Sequence, residues 1–142
     1  MLSSSGFDSC VGTNAEPEKI TVYNKGRSAV FERGTEKYET LKGNIYKMLN
    51  EKSTNNILML AIVNGDISEF KQQLNVEFLY SIPAEFTYPS GSKQRITKFI
   101  IVPAAQSHTV ITAPSDKGLY ASGLFMVRMD SSYEELLLKY AP

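Results

Sequence analysis

Tryptophan is absent from this chain of 142 residues, and cysteine and histidine occur once each, as Cys10 and His108. A single cysteine cannot form an internal disulfide, so a hydrophobic core has to hold the fold. Zinc sites draw at least three ligands from histidine, cysteine and carboxylates, and two such residues this far apart in sequence argue against one. We therefore predict that the chain carries no metal and no other cofactor.

An excess of charge of one sign is also absent, because 15 Lys and Arg balance 15 Asp and Glu. Strong non-specific binding to nucleic acid needs clustered cations that displace counterions from the phosphates. The one basic group consists of Lys93, Arg95 and Lys98. With Tyr88 nearby, this group could stack on single-stranded nucleic acid, but lysines that keep a sheet edge from aggregating explain it better. The composition predicts no nucleic-acid partner.

Long hydrophobic runs are missing as well. The longest, residues 57–63, has seven apolar residues, whereas a helix that crosses a bilayer needs roughly 20. Residues 1–9 contain neither the basic region nor the apolar region of a signal peptide. From these residues alone, we expect the chain either to stay in the compartment where it is made or to have lost a natural leader.

The chain does contain enough apolar material, 42% of its residues, to build a core. Its length is typical of one domain. Residues 1–19 are mostly small and polar, which predicts a flexible N-terminal tail or tether around Cys10. Residues 20–142 carry the patterned segments and are expected to form a single α+β domain.

Two amphipathic helices and one hairpin are the clearest local signals. Residues 20–23 and 29–31 flank a turn in which Gly26 supplies the positive φ of a type I turn with a bulge. Thr35 is expected to cap a helix that ends at the polar cluster 53–56. Its apolar positions fall at helical spacing: Tyr38, Leu41, Ile45, Met48 and Leu49. A capping-box pattern, Ser131 with Glu134, predicts the last helix. The inward positions of that helix are Tyr133, Leu136, Leu137 and Tyr140.

Extended segments occupy the rest of the chain. Residues 57–63 are expected to form a buried strand, after which Asp66 caps a short helix carrying Ile67, Phe70 and Leu74 on its inner side. The later strands are predicted at 76–80, 85–88, 95–102, 109–112 and 119–129. Pro83 is expected to separate the first two, and Gly123 to mark a bulge or a close backbone approach. Short connections favour an antiparallel meander. The predicted fold is a mostly antiparallel sheet of about five to seven strands packed against two main helices.

The search for catalytic residues finds two weak groups. Ser107, His108 and Asp116 are close in sequence, but no Gly-x-Ser-x-Gly elbow is present and these residues are also common in turns. Glu77 and Glu85, on adjacent predicted strands, are the best candidates for a glycosidase-like carboxylate pair, although such acids are usually solvated. We predict that the protein is not an enzyme.

Several segments carry a family resemblance: 20–26 (Ile-Thr-Val-Tyr-Asn-Lys-Gly), 31–38, 45–49, 76–80, 86–88 and 118–123. Together they resemble small uncharacterised lipoproteins of low-GC Gram-positive bacteria, which have an α+β domain after a lipidated cysteine. The resemblance implies extracytoplasmic anchoring through Cys10 and no established activity. The residues before Cys10 depart from it, being too few and too polar to direct export.

The leading functional hypothesis is a non-catalytic, lipoprotein-like domain of the cell envelope that binds an unknown protein or small ligand. It would contact the membrane only through a lipid on Cys10. One alternative is a cytosolic regulatory or interaction protein, favoured by the missing leader. A small hydrolase using His108, Asp116 and a serine is the other.

Overall fold

The computed structural model of the chain describes residues 11–58, 62, 65–104, 107–120, 124–128 and 131–142. Within these residues it contains seven strands: β1 (Lys19–Asn24), β2 (Arg27–Glu32), β3 (Ser53–Leu58), β4 (Asn75–Thr87), β5 (Lys93–Ala104), β6 (Ser107–Pro114) and β7 (Leu124–Val127). The helices are α1 (Glu36–Lys52), α2 (Ser131–Tyr140) and one 3₁₀ turn (Phe70–Gln72). This content confirms the predicted α+β class.

All neighbouring strands are antiparallel, in the order β2-β1-β4-β5-β6-β7-β3. Strands β4 to β7 follow one another as the expected meander. The β1–β2 hairpin adds to the β4 side, and β3 adds to the β7 side. Because α1 joins β2 at one edge to β3 at the other, it has to run across one face of the sheet.

The β1–β2 turn has a different type from the one the sequence suggested. Lys25 has φ 55° and Gly26 has φ 79°, and Asn24 pairs directly with Arg27. Two successive positive φ values define a two-residue type I′ turn, whose twist matches that of the strands. The prediction of a type I turn with a bulge was therefore wrong, although the hairpin itself is confirmed.

Helix α1 begins where the sequence predicted. The hydroxyl of Thr35 accepts a hydrogen bond from the backbone N–H of Tyr38 at 3.3 Å, which satisfies one of the free donors of the first turn. The predicted inner positions Tyr38, Leu41, Ile45 and Leu49 are buried, whereas Met48 is only partly so. The polar cluster 53–56 ends the helix as predicted, and it forms the first four residues of β3.

Pairing with β7 explains why polar residues form β3. Ser53 lies opposite Val127, and the hydroxyl of Thr54 donates to the carbonyl of Met126 at 3.2 Å. These contacts outweigh the low intrinsic strand preference of the cluster. The strand predicted at 57–63 therefore begins four residues earlier, and residues 59–61, 63 and 64 lie outside the described part.

Three other boundaries differ from the prediction. Pro83 does not end a strand, because β4 continues through an irregular stretch between Leu79 and Ala84. Asp66 accepts from the backbone and hydroxyl of Ser68 and precedes only a 3₁₀ turn. Of the strand predicted at 119–129, the structure shows Leu124–Val127 as a strand and residues 119, 120 and 128 outside it, whereas 121–123, with Gly123, and 129 lie outside the described residues.

The main core lies between the helices and one face of the sheet, the inner face. Phe78 stacks on Phe99 with ring centroids 4.7 Å apart, and Phe86 packs against Phe99 at 5.7 Å. Tyr133 and Leu137 of α2 are buried in the same core. A smaller apolar cluster lies on the outer face: Ile67, Ile100, Val102, Ile111, Ala113 and Tyr120. No helix in the described part is long and apolar enough to span a bilayer.

Candidate functional site

A cavity of about 610 Å³ lies beside the first residues that the structure describes, and we call it the N-terminal cavity. Residues 11–15 form one wall, and Tyr46 and Asn50 of α1 form another. The third wall comes from the β4–β5 region: Glu85, Thr87, Gly91 and Lys93. The volume lies within the range of roughly 300–1,000 Å³ that is usual for small-ligand pockets.

The first wall is held in place by backbone hydrogen bonds. The N–H of Val11 donates to Oδ1 of Asn50 at 2.6 Å. Gly12 and Thr87 exchange two bonds, N–H to C=O, at 3.0 and 2.9 Å. Gly12 has φ 101°, which any other residue would adopt only with strain. These bonds attach residues 11 and 12 to both α1 and β4.

The following residues are also attached, although they belong to the stretch predicted to be a tether. The hydroxyl of Tyr38 donates to the carbonyl of Pro17 at 2.5 Å, and Nε of Arg33 donates to the same carbonyl at 3.2 Å. The N–H of Glu18 donates to the carbonyl of Leu79 at 2.7 Å. Packing therefore includes residues as early as Val11, the first residue described, eight residues before β1.

Two tyrosine hydroxyls lie between α1 and the sheet next to this wall. The hydroxyl of Tyr46 lies 3.0 Å from the carbonyl of Ala15 and 2.6 Å from the hydroxyl of Tyr80. A carbonyl can only accept, so Tyr46 donates to Ala15 and Tyr80 donates to Tyr46. Burial raises the pKa of both hydroxyls well above the usual range. Both are therefore neutral near neutral pH.

Opposite that wall, β4 presents an unpaired edge at Glu85. Backbone groups alternate in direction along a strand, so Glu85 directs its N–H and C=O to the same side as Thr87, toward residues 11–15. The pairing with β5 supports this direction. Arg95 lies opposite Glu85, and its carbonyl accepts from the N–H of Ser115 at 2.9 Å, in the direction of β6 and away from β4. Glu85 and Arg95 therefore do not bond to each other, and the backbone groups of Glu85 point away from β5.

Strand β1 does not cover this part of the edge, since it pairs with β4 only from Asn75 to Leu79. Among the described residues, nothing bonds to the backbone of Glu85 on the side of the cavity. Within the described part of the chain, Glu85 therefore has a backbone donor and a backbone acceptor without a partner on this edge, and Glu85 also lines the N-terminal cavity.

The charges near the cavity are of both signs. Oε1 of Glu85 and Nζ of Lys93 lie 3.8 Å apart, and both side chains are exposed. Beyond the first wall, Lys42 forms ion pairs with Glu16 and Glu39. The hydrogen bond from Lys42 lowers the pKa of Glu16. The cavity therefore has no strong preference for cations or anions.

The candidate triad residues do not come together. Ser107 donates through its hydroxyl to the carbonyl of Val127 at 2.5 Å. His108 packs edge-on against the ring of Tyr133, with centroids 5.0 Å apart, and its Nδ1 has no hydrogen-bond partner among the described residues. Asp116 follows the opposite end of β6, about 25 Å away at roughly 3.4 Å per strand residue.

The candidate carboxylate pair does not come together either. Glu77 and Glu85 lie on the same strand, β4, not on adjacent strands. They pair with Ile100 and Arg95 of β5, whose positions differ by five residues, or about 17 Å. Glu77 instead accepts hydrogen bonds on the outer face of the sheet, from the hydroxyls of Tyr23 at 2.6 Å and Tyr120 at 2.5 Å. Glu77 therefore joins β1, β4 and the loop before β7.

The predicted basic group is divided among separate contacts. Lys93 pairs with Glu85, and Nζ of Lys98 lies over the ring of Tyr120, 4.9 Å from its centroid. Tyr88 contacts Phe125, Gln94 and Thr112. No cluster of three potential metal ligands occurs within the described part of the chain.

The lipidation candidate Cys10 lies outside the described residues, directly before Val11. The sequence analysis missed the residues that build the N-terminal cavity. Gly12 was the one signal that could have indicated them, because an isolated glycine in a polar segment can mark a close backbone approach. Asn50 has the appearance of an ordinary exposed helix residue, and the free edge at Glu85 depends on strand register.

No protein-family model, curated protein or solved structure matches the chain. The resemblance to Gram-positive lipoproteins, drawn from short segments of sequence, therefore stays a prediction.

Proposed function

We propose that this protein is a non-catalytic binding domain of the cell envelope that takes a short extended peptide into its N-terminal cavity. The observation that carries the proposal is the unpaired edge of β4 at Glu85, which lies inside a cavity of about 610 Å³. A strand edge recognises peptides through main-chain hydrogen bonds, by adding the peptide as a further strand.

The chain itself provides an example of this pairing next to the free edge. Gly12 already occupies the position opposite Thr87 and exchanges two hydrogen bonds with it. A peptide residue opposite Glu85 would make the same two bonds two positions before Thr87 on β4. The Glu85 and Lys93 side chains at the cavity offer one charge of each sign, which suits the two ends of a short peptide.

The envelope part of the proposal rests on Cys10. Val11, which is buried and is the first residue that the structure describes, directly follows Cys10, and consecutive Cα atoms are about 3.8 Å apart. A lipid on Cys10 would hold the N-terminal cavity at the membrane surface, with no long linker between them. The cavity would then face ligands that are themselves near the membrane.

Two substitutions at one position test the peptide site. Glu85→Pro removes the backbone N–H, whereas Glu85→Ala removes the side chain and keeps the backbone groups. With a library of short labelled peptides and fluorescence polarisation, we expect Glu85→Pro to weaken binding at least about tenfold, equivalent to about 1.4 kcal/mol. Glu85→Ala should change it by no more than about threefold.

Circular dichroism has to show that both variants are folded. Equal affinity of the two variants, or no peptide that binds the unaltered protein, contradicts the peptide site. The anchor has its own test in the native host, by cell fractionation and mass spectrometry with Cys10→Ser as control. Unmodified Cys10 in the soluble fraction contradicts the anchor and favours the cytosolic alternative.

A further inference from the structure

A second cavity, of about 280 Å³, lies between the two helices, and we call it the interhelical cavity. Five residues of α1 line it: Asn44, Lys47, Met48, Glu51 and Lys52. Their spacing of i, i+3, i+4, i+7 and i+8 places them on one face of the helix. Arg128 and Ser132 complete the lining. This site shares no residue with the N-terminal cavity.

Positive charge collects here although the chain as a whole is neutral. Lys47, Lys52 and Arg128 contribute three positive charges, and Glu51 contributes one negative charge. None of the three cations forms an ion pair with any residue that the structure describes, whereas Lys42 and Lys93 do. Bringing like charges together is unfavourable, and a bound anion would remove that repulsion.

The backbone fixes the position of the arginine. The N–H of Arg128 donates to the carbonyl of Lys52 at 2.9 Å. This bond continues the pairing of β3 with β7 by one step beyond Ser53 and Val127. Lys52 at the end of α1 and Arg128 after the end of β7 are therefore held next to each other by this backbone bond.

We propose that the interhelical cavity binds a small anion that carries a phosphate group. Arginine and lysine together suit phosphate, because a guanidinium can donate two parallel hydrogen bonds and an ammonium adds a compact charge. The volume of about 280 Å³ lies just below the usual range for drug-sized ligands, so a small ligand fits. Both a free phosphate ester and the headgroup of an anionic lipid carry this group.

Calorimetric titration with glycerol phosphate at low ionic strength tests the site on the full chain. We expect saturable binding that Arg128→Gln weakens at least about tenfold, since the charge-assisted hydrogen bonds of the guanidinium to the phosphate are lost. Lys47→Gln should also lower the affinity for glycerol phosphate. Glu51→Gln should tighten it about threefold by removing the one negative charge, an increase that loss of folding cannot produce.

The matched control is Lys37→Gln, which removes one exposed charge from α1 outside the cavity and should leave the affinity unchanged. Vesicles of phosphatidylglycerol, compared with phosphatidylcholine, identify the source of the phosphate. Binding to free glycerol phosphate alone assigns a soluble ester, and Arg128-dependent binding to the anionic vesicles assigns a lipid headgroup. No saturable binding to either, or an equal loss in Lys37→Gln, overturns the proposal.

Discussion

Tyr80 donates a hydrogen bond to the hydroxyl of Tyr46 over 2.6 Å, and Tyr46 in turn donates to the carbonyl of Ala15. One residue lies on the sheet, one on α1 and one in the N-terminal segment. Tyr80 is 3% exposed, and Tyr46 is the one hydrogen-bond partner of its hydroxyl among the described residues. This chain of bonds connects the core to one wall of the N-terminal cavity.

The two tyrosines should respond differently to loss of the hydroxyl. Tyr46→Phe breaks both bonds and leaves the buried hydroxyl of Tyr80 without a partner, which should lower the free energy of unfolding by about 2–3 kcal/mol. Tyr80→Phe leaves the bond between Tyr46 and Ala15 intact and should cost about 1 kcal/mol. Urea denaturation measures both values. Equal losses would show that the direction of donation assigned here is wrong.

The side chain of Asn50 should stabilise the attachment of residues 11 and 12 to α1 and β4. Asn50→Ala removes the acceptor for the N–H of Val11 and should lower stability by about 0.5–1.5 kcal/mol. The amides of Gly12 and Thr87 should then exchange faster with deuterium. Asn44→Ala is the matched control, because among the described residues the side chain of Asn44 bonds within α1, to the carbonyl of Thr40. Faster exchange in the control as well would refute a specific role of Asn50.

Glu77 should stabilise the outer face through its charge. In Glu77→Gln only one oxygen remains to accept from Tyr23 and Tyr120, and the charge-assisted character of the bonds is lost. We expect a decrease of about 1–3 kcal/mol in the free energy of unfolding. Glu85→Gln, at an exposed site on the same strand, should change it by less than about 0.5 kcal/mol. Similar values for both variants would contradict this role.

His108 should make stability depend on pH. Burial lowers its pKa, and the charge of Glu134 only partly opposes this. The folded protein therefore binds a proton on His108 less readily than the unfolded chain does, so the fold is more stable when His108 is neutral. That stability is complete above the unfolded-state pKa of about 6.5 and decreases as the pH falls below it.

The matching variant is His108→Phe, which keeps an aromatic ring against Tyr133. As His108 is the only histidine, this variant should lose much less stability than the unaltered protein between pH 7 and pH 5. Thermal unfolding across that range provides the measurement. Parallel pH curves for the two proteins would show that His108 does not titrate in the way its burial implies.

Local patterns in the sequence were sufficient for much of the fold. Thr35 caps α1 because its hydroxyl acts within one helical turn, and Tyr38, Leu41 and Ile45 turn inward because helical spacing places them on one face. The antiparallel meander followed from short connections between apolar strands. Patterns of this kind depend on neighbours close in sequence, so they can be recognised without knowledge of the tertiary structure.

Register and long-range contacts decided what local patterns did not. The polar residues 53–56 form a strand only because β7 lies beside them, and Pro83 is accommodated within the irregular stretch of β4. Glu77 and Glu85 were assigned to different strands because proline normally interrupts one. Each of these outcomes depends on a partner that is distant in sequence.

The amino-acid sequence by itself determined the fold class, the cap of α1 and the apolar faces of the helices, because these depend on spacing over a few residues. Only the tertiary structure decided where the candidate sites lie. Gly12 meets Thr87, and Arg128 meets Lys52, across 75 and 76 residues of chain. The free edge at Glu85 and the three converging cations exist only after the chain has folded, since no spacing in the sequence encodes them.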